Sequence, residues 1–184
     1  MNVANEDTSL LKAEAPRPTL ATTIGRLTAR LSGERNDPGE LAALRRLVTG
    51  EKNAVFWRVL TNEVPDEFAS GRIEEDLWAA LLASFALLAP LGNGRGETIG
   101  GALATTGYSE PRLLRLLRAD RERIADEVTA AARWLSAHGR SCDWLELARF
   151  VFSRIQSTEG SDHRTARKIA RDYFTAISRK EVAQ

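Results

Sequence analysis

Residues 74–89 read EEDLWAALLASFALLA, and this stretch decides the fold class. Its large apolar positions, Leu77, Trp78, Leu81, Leu82, Phe85 and Leu88, recur at steps of one, three and four, with no strict alternation. Steps of three and four place side chains on one helical face, and the steps of one spread them around the cylinder. A helix apolar almost all round belongs at the centre of a core. Glu74, Glu75 and Asp76 favour the positive end of its dipole, and Pro90 stops it. The apolar run 77–91 is interrupted by Ser84 and Pro90 and falls short of the roughly 20 residues that span a bilayer.

Upstream, Leu20, Ile24, Leu27 and Leu31 repeat at helical spacing, with Arg26 and Arg30 on the other side. Asp37-Pro38-Gly39-Glu40 is a helix start: Asp37 caps, Pro38 takes the first helical position, and Glu40 reaches back in a capping box. Leu41, Leu44, Leu47 and Val48 then face inward, and Gly50 can close that helix. A short apolar segment surrounds Phe56, Trp57 and Leu60.

Downstream, 99–106 is helical and closed by Gly107. Ser109 opens the next helix, with Pro111 in its first turn. The pattern of 109–138 favours a break near Ala119-Asp120 into two helices over a single kinked helix, because one continuous helix would bring Arg121 to the edge of its apolar face. Asp143 with Glu146 makes another capping box, followed by a core face of Trp144, Leu147, Ala148, Val151, Phe152 and Ile155. After a polar loop at 157–162, the last helix turns Ala166, Ile169, Ala170, Tyr173, Phe174 and Ile177 inward.

The expected fold is therefore all-α, with about eight or nine helices in two small bundles. Residues 1–18, ending in Pro16-Arg17-Pro18, read as a flexible tail, and 19–91 as the N-terminal bundle. The five glycines of 92–101 read as a mobile linker, and 102–184 as the C-terminal bundle. The 184 residues are 43% hydrophobic, enough for a packed core. A single cysteine, Cys142, and an N-terminus without a basic-then-apolar leader point to the reducing cytoplasm.

No enzyme signature emerges. His138 and His163 are the only histidines, and His138 with Cys142 is one pair where zinc needs about four ligands. Nothing in the sequence orients His138 as a base for Cys142. The run Gly92-Asn93-Gly94-Arg95-Gly96 lacks the Gly-Lys-Ser/Thr and the flanking strand of a phosphate loop. Metal, cofactor and catalytic residues are each expected to be none.

What remains is arginine. Net charge is only +1, yet 22 of the 26 basic residues are Arg, whose guanidinium binds phosphate bidentately and stacks on bases. One cluster is the C-terminal helix, where Arg164, Arg167, Lys168 and Arg171 project within about a third of the circumference. A second is Arg112, Arg115, Arg118, Arg121 and Arg123, with Glu122, Asp126 and Glu127 close by. A third joins Arg45 and Arg46 to Arg26 and Arg30 if the first two helices pack antiparallel. Such ridges suit a phosphate backbone. A helix-turn-helix regulator of transcription is the alternative DNA-binding reading, although no tight signature of that motif is visible.

Several blocks, in order, resemble the CasB family, the small subunit of the type I-E CRISPR surveillance complex Cascade. They are Leu44-Arg45-Arg46, Phe56-Trp57-Arg58-Val59-Leu60, Ile99-Gly100-Gly101-Ala102-Leu103-Ala104 and Ser109-Glu110-Pro111-Arg112. Then follow Leu116-Leu117-Arg118-Ala119-Asp120-Arg121, Asp143-Trp144 with Leu147-Ala148-Arg149, and a basic last helix ending in Asp172-Tyr173-Phe174. The resemblance covers about residues 20–177. It implies a non-catalytic subunit, present in two copies beside the backbone and large subunits. Such a subunit holds the guide RNA–target DNA heteroduplex and the displaced DNA strand. Carried over by motif, the matching bases are Arg45, Arg46, Arg112, Arg118, Arg121 and Arg149. Gly101 stands where relatives can carry an arginine, and Pro111 where a second base can flank Arg112. Arg95 or the C-terminal ridge is expected to compensate.

Overall fold

The computed structural model describes residues 18–33, 36–49, 51–155 and 161–182, with the backbone alone for 161–163. The expected tail before Pro18, the closing Gly50, the loop at 157–160 and the His163 side chain lie outside the described residues. The described residues form nine α-helices and no strand. They are α1 (Leu20–Ser32), α2 (Pro38–Arg45), α3 (Ala54–Glu63), α4 (Arg72–Leu88), α5 (Ile99–Thr105), α6 (Glu110–Arg118), α7 (Ile124–Ala137), α8 (Trp144–Ser153) and α9 (Ser161–Val182). No helix of the described residues is long and apolar enough to cross a membrane.

As its composition demands, α4 is the central helix. Leu77, Trp78, Leu81, Leu82, Phe85 and Leu88 are all buried, and the helix packs on α7, α2 and α8. The indole N–H of Trp78 donates to the Phe68 carbonyl at 2.8 Å, so burial leaves no orphaned donor there. Phe85 stacks on Trp144 of α8 with ring centroids 4.6 Å apart. The buried residues form one continuous cluster running from Ile24 to Tyr173.

The helix starts follow local chemistry, with two differences. Asp37 caps α2 by accepting from the Gly39 amide, and Asp143 caps α8 by accepting from the amides of Leu145 and Glu146. The glutamates expected to complete those boxes face elsewhere: Glu40 meets Arg30 at 2.8 Å, and Glu146 turns to α5 and α9. An arginine or a helix N-terminus within reach stabilises a carboxylate more than one backbone amide does. The break between α6 and α7 falls where Asp120 accepts from the Glu122 and Arg123 amides in a tight turn.

The glycine-rich segment differs from the expected mobile linker. The Gly94 amide donates to the Cys142 carbonyl and the Asp143 amide donates to the Glu97 carbonyl. Asn93 bridges Thr28 of α1 and the Trp144 amide that opens α8, while Ser141 donates to the Gly92 carbonyl. A Cβ at Gly94 would lie 3.0 Å from the Cys142 nitrogen, so glycine here permits two backbones to meet. Glycine content reports what the backbone is free to adopt, and here that freedom is used for contact. The last three residues of the segment already belong to α5.

The long helix α9 lies across α5 at Gly100. A Cβ at that position would fall 2.7 Å from the Tyr173 nitrogen and closer still to the Ile169 carbonyl oxygen. Ile169 and Tyr173 are buried at the crossing, and the Tyr173 hydroxyl donates to the Tyr108 carbonyl. Lys180 donates to the Ala104 and Thr105 carbonyls at the C-terminal end of α5, where a cation is favoured.

Candidate nucleic-acid interface

With α9 pinned on α5, its outer flank faces α8 across a groove of about 820 Å³. Arg149 of α8 and Arg164, Arg167, Lys168 and Arg171 of α9 line it, together with Glu97, Asp143 and Glu146. Half of the expected contact residues therefore converge on one feature, although Arg149 lies in none of the three clusters along the chain.

The bases in this groove are not equivalent. Lys168 bonds both Glu146 and Asp172, the latter at 2.8 Å. Burial alone would lower its pKa, but hydrogen bonds to Asp172 and Glu146 outweigh that effect and raise it. Glu146 also accepts from the Ile99 amide at 2.7 Å, so it ties the start of α5 to α8 and α9. Lys168, Glu146 and Asp172 are thus a strut under the groove. Arg149, Arg164 and Arg167 are exposed and make no ion pair among the described residues, while Arg171 has only Asp172 at 4.0 Å. Acids are held inward by bonds to the fold, and guanidinium groups are left outward. This separation places positive potential in a concave site although the whole chain is nearly neutral.

The other expected residues are dispersed. Arg112 is exposed, with its guanidinium 4.7 Å from the centroid of the Trp134 ring. Arg118 lines a smaller depression with Arg115 and Arg123, while Arg115 is paired with Glu127 at 2.6 Å. Arg121 is exposed in the turn after α6. The third cluster does not assemble as the antiparallel arrangement required. Arg26 donates to the Glu63 carbonyl, Arg30 bridges Glu40 and Glu63, and Arg45 donates to the Ala86 carbonyl of α4, leaving Arg46 exposed. Helices α1 and α2 each pack mainly on other elements, so their arginines satisfy different partners. Arg95 is exposed in its loop, and Gly101 shares a depression with Arg179.

Two features were not anticipated. Phe174, expected inward, is 41% exposed, because the buried stripe of α9 is centred on Ile169 and Tyr173, and Phe174 stands about 100° beyond Tyr173. The strut acid Glu146 carries no sequence signal of its partnership, since Lys168–Glu146 joins separate helices, whereas Lys168–Asp172 is an i,i+4 pair within α9.

The residues that could suggest an enzyme are placed apart in character. His138 is exposed and stacked on Trp134, its Nδ1 near the Trp134 carbonyl. Cys142 is fully buried, and that burial, with Glu146 nearby, pushes its thiol far above the ordinary range. Among the described residues, no three His, Cys, Asp or Glu side chains gather as a metal site.

In comparisons with known proteins, the family model for CRISPR-associated protein Cse2 matches residues 40–174, from the first turn of α2 to Phe174. No curated protein and no solved structure matches the chain.

Proposed function

The chain belongs to the CRISPR-associated Cse2 family, the small subunits of type I-E Cascade, and on that premise we propose that it holds nucleic acid by its backbone and catalyses no reaction. The groove between α8 and α9 carries this reading: four arginines without a strong ion-pair partner among the described residues line one concavity. In an RNA-guided complex, base pairing reads sequence and protein need only hold phosphates, which guanidinium groups do without regard to base. The strands served are the guide RNA–target heteroduplex and the displaced DNA. The partners are the backbone and large subunits and a second copy of the chain. Arg112, Arg118, Arg121 and Arg46 extend the contact, and Arg45 contributes chiefly to the fold. The site is consistent with the cytoplasm, where such complexes meet foreign DNA.

Salt titration of the full-length protein with a labelled poly(dT) oligonucleotide tests the proposal. Four phosphate contacts to a single strand give a slope of log K against log [salt] near −2.8, or about a fiftyfold loss from 50 to 200 mM. Arg164→Gln with Arg167→Gln should halve that slope and reduce the loss to about sevenfold. A wild-type protein without affinity at low salt, and unable to join a guide-RNA complex, would refute the reading.

A further inference from the structure

Phe174 is an exposed aromatic side chain for which the fold supplies a reason neither of burial nor of solubility. At about 100° per residue it stands within about 60° of Arg167, Arg171 and Ser178, on the border of the basic flank of α9. Arg171 and Arg179 flank it in a shallow depression of about 560 Å³ that Val182 completes. Arg171 lines this depression and the larger groove alike, so the ring adjoins the arginine surface. Tyr173, fixed through its bond to the Tyr108 carbonyl, meets the Phe174 ring edge-on at 5.2 Å and 84°. The ring is therefore presented on a rigid support.

An aromatic face beside a row of guanidinium groups is the combination that takes unpaired bases and tracks their phosphates. We propose that Phe174 is a stacking platform for one unpaired base of a strand whose phosphates follow the arginine groove. The surface then prefers single-stranded to duplex nucleic acid, because in a duplex the base faces are already stacked. This inference rests on the nucleic-acid reading of the groove and adds a base-contacting residue to it.

The test uses the full-length chain at low salt with a poly(dT) oligonucleotide, an abasic oligonucleotide of equal length and a DNA hairpin duplex. Phe174→Ala should weaken poly(dT) binding between about fivefold and about 150-fold and leave abasic binding unchanged. Phe174→Tyr should restore poly(dT) affinity. Wild-type protein should bind poly(dT) more tightly than both the abasic strand and the hairpin. Unchanged poly(dT) affinity in Phe174→Ala overturns the proposal and leaves the ring to a protein neighbour. An equal loss on the abasic strand overturns it as well. Failure of the wild type to bind any of the three probes refutes the underlying reading, and the stacking role with it.

Discussion

Adding one methyl group at Gly100 should destabilise the protein, and adding the same group at Gly25 should not. A Cβ at Gly100 meets the Tyr173 nitrogen at 2.7 Å, where ordinary contact begins near 3.4 Å. Because the obstacle is helix backbone, α9 must withdraw by at least about 0.7 Å there (3.4 less 2.7), and by more at Ile169. A gap of that size forfeits a quarter to a half of the dispersion energy of the atoms it separates. Those atoms include Ile169 and Tyr173, at 0% and 3% exposure. Overpacking a tight contact costs about 1–3 kcal/mol, and clashes with backbone belong at the upper end. Alanine returns about 1 kcal/mol through helix propensity. The net loss for Gly100→Ala is then about 1–2 kcal/mol, or a Tm lower by about 2–8 °C for a chain of this length. Gly25 lies on the exposed side of α1 with nothing within 4 Å, so Gly25→Ala should gain about 0.5–1 kcal/mol from propensity alone. Urea unfolding at constant m measures both. A neutral or stabilising Gly100→Ala would refute the close crossing of α5 and α9, and with it the placement of the groove.

Asn93→Ala should cost about 1–3 kcal/mol, because it leaves the buried start of α8 short of an acceptor and frees the glycine-rich segment from α1; chemical denaturation is the check. Cys142 should resist thiol reagents in native buffer and react promptly in urea, since its sulfur is both buried and held protonated; labelling kinetics would show a reactive native thiol if that is wrong. Lys168 is charged in both states below its ordinary pKa of 10.5, so its contribution is complete at neutral pH. Its folded pKa is raised, so that contribution is lost only as pH climbs from 10.5 through the folded value. Lys168→Met should flatten this alkaline fall in stability, by less than about 1 kcal/mol for so exposed a group.

Periodicity made the helices legible, from the all-round apolar α4 to the break at Asp120. It did so because each depends on spacing within a single segment. Interactions between distant segments were not legible in the same way. Glu40 and Glu146 look like capping-box residues until Arg30 and Lys168 arrive from other helices. The glycines at 92–96 look like slack until Cys142 and Asp143 supply partners. The basic flank of α9 could be projected from sequence, whereas its convergence with Arg149 required the crossing at Gly100. Phe174 falls outside the core although its spacing places it there, because sequence locates a stripe only to within one residue on either side.

The inward bonding of Glu146 and Asp172 also bears on the speed of encounter. A molecule with net charge +1 has little field beyond a Debye length, about 8 Å at physiological ionic strength. It would not be steered toward distant nucleic acid, and its association rate should sit near the ordinary 10⁵–10⁷ M⁻¹s⁻¹ of unsteered docking. On the proposed reading, such a protein escapes long-range capture by nucleic acid, and its arginines would act once a neighbouring subunit has brought a strand within reach.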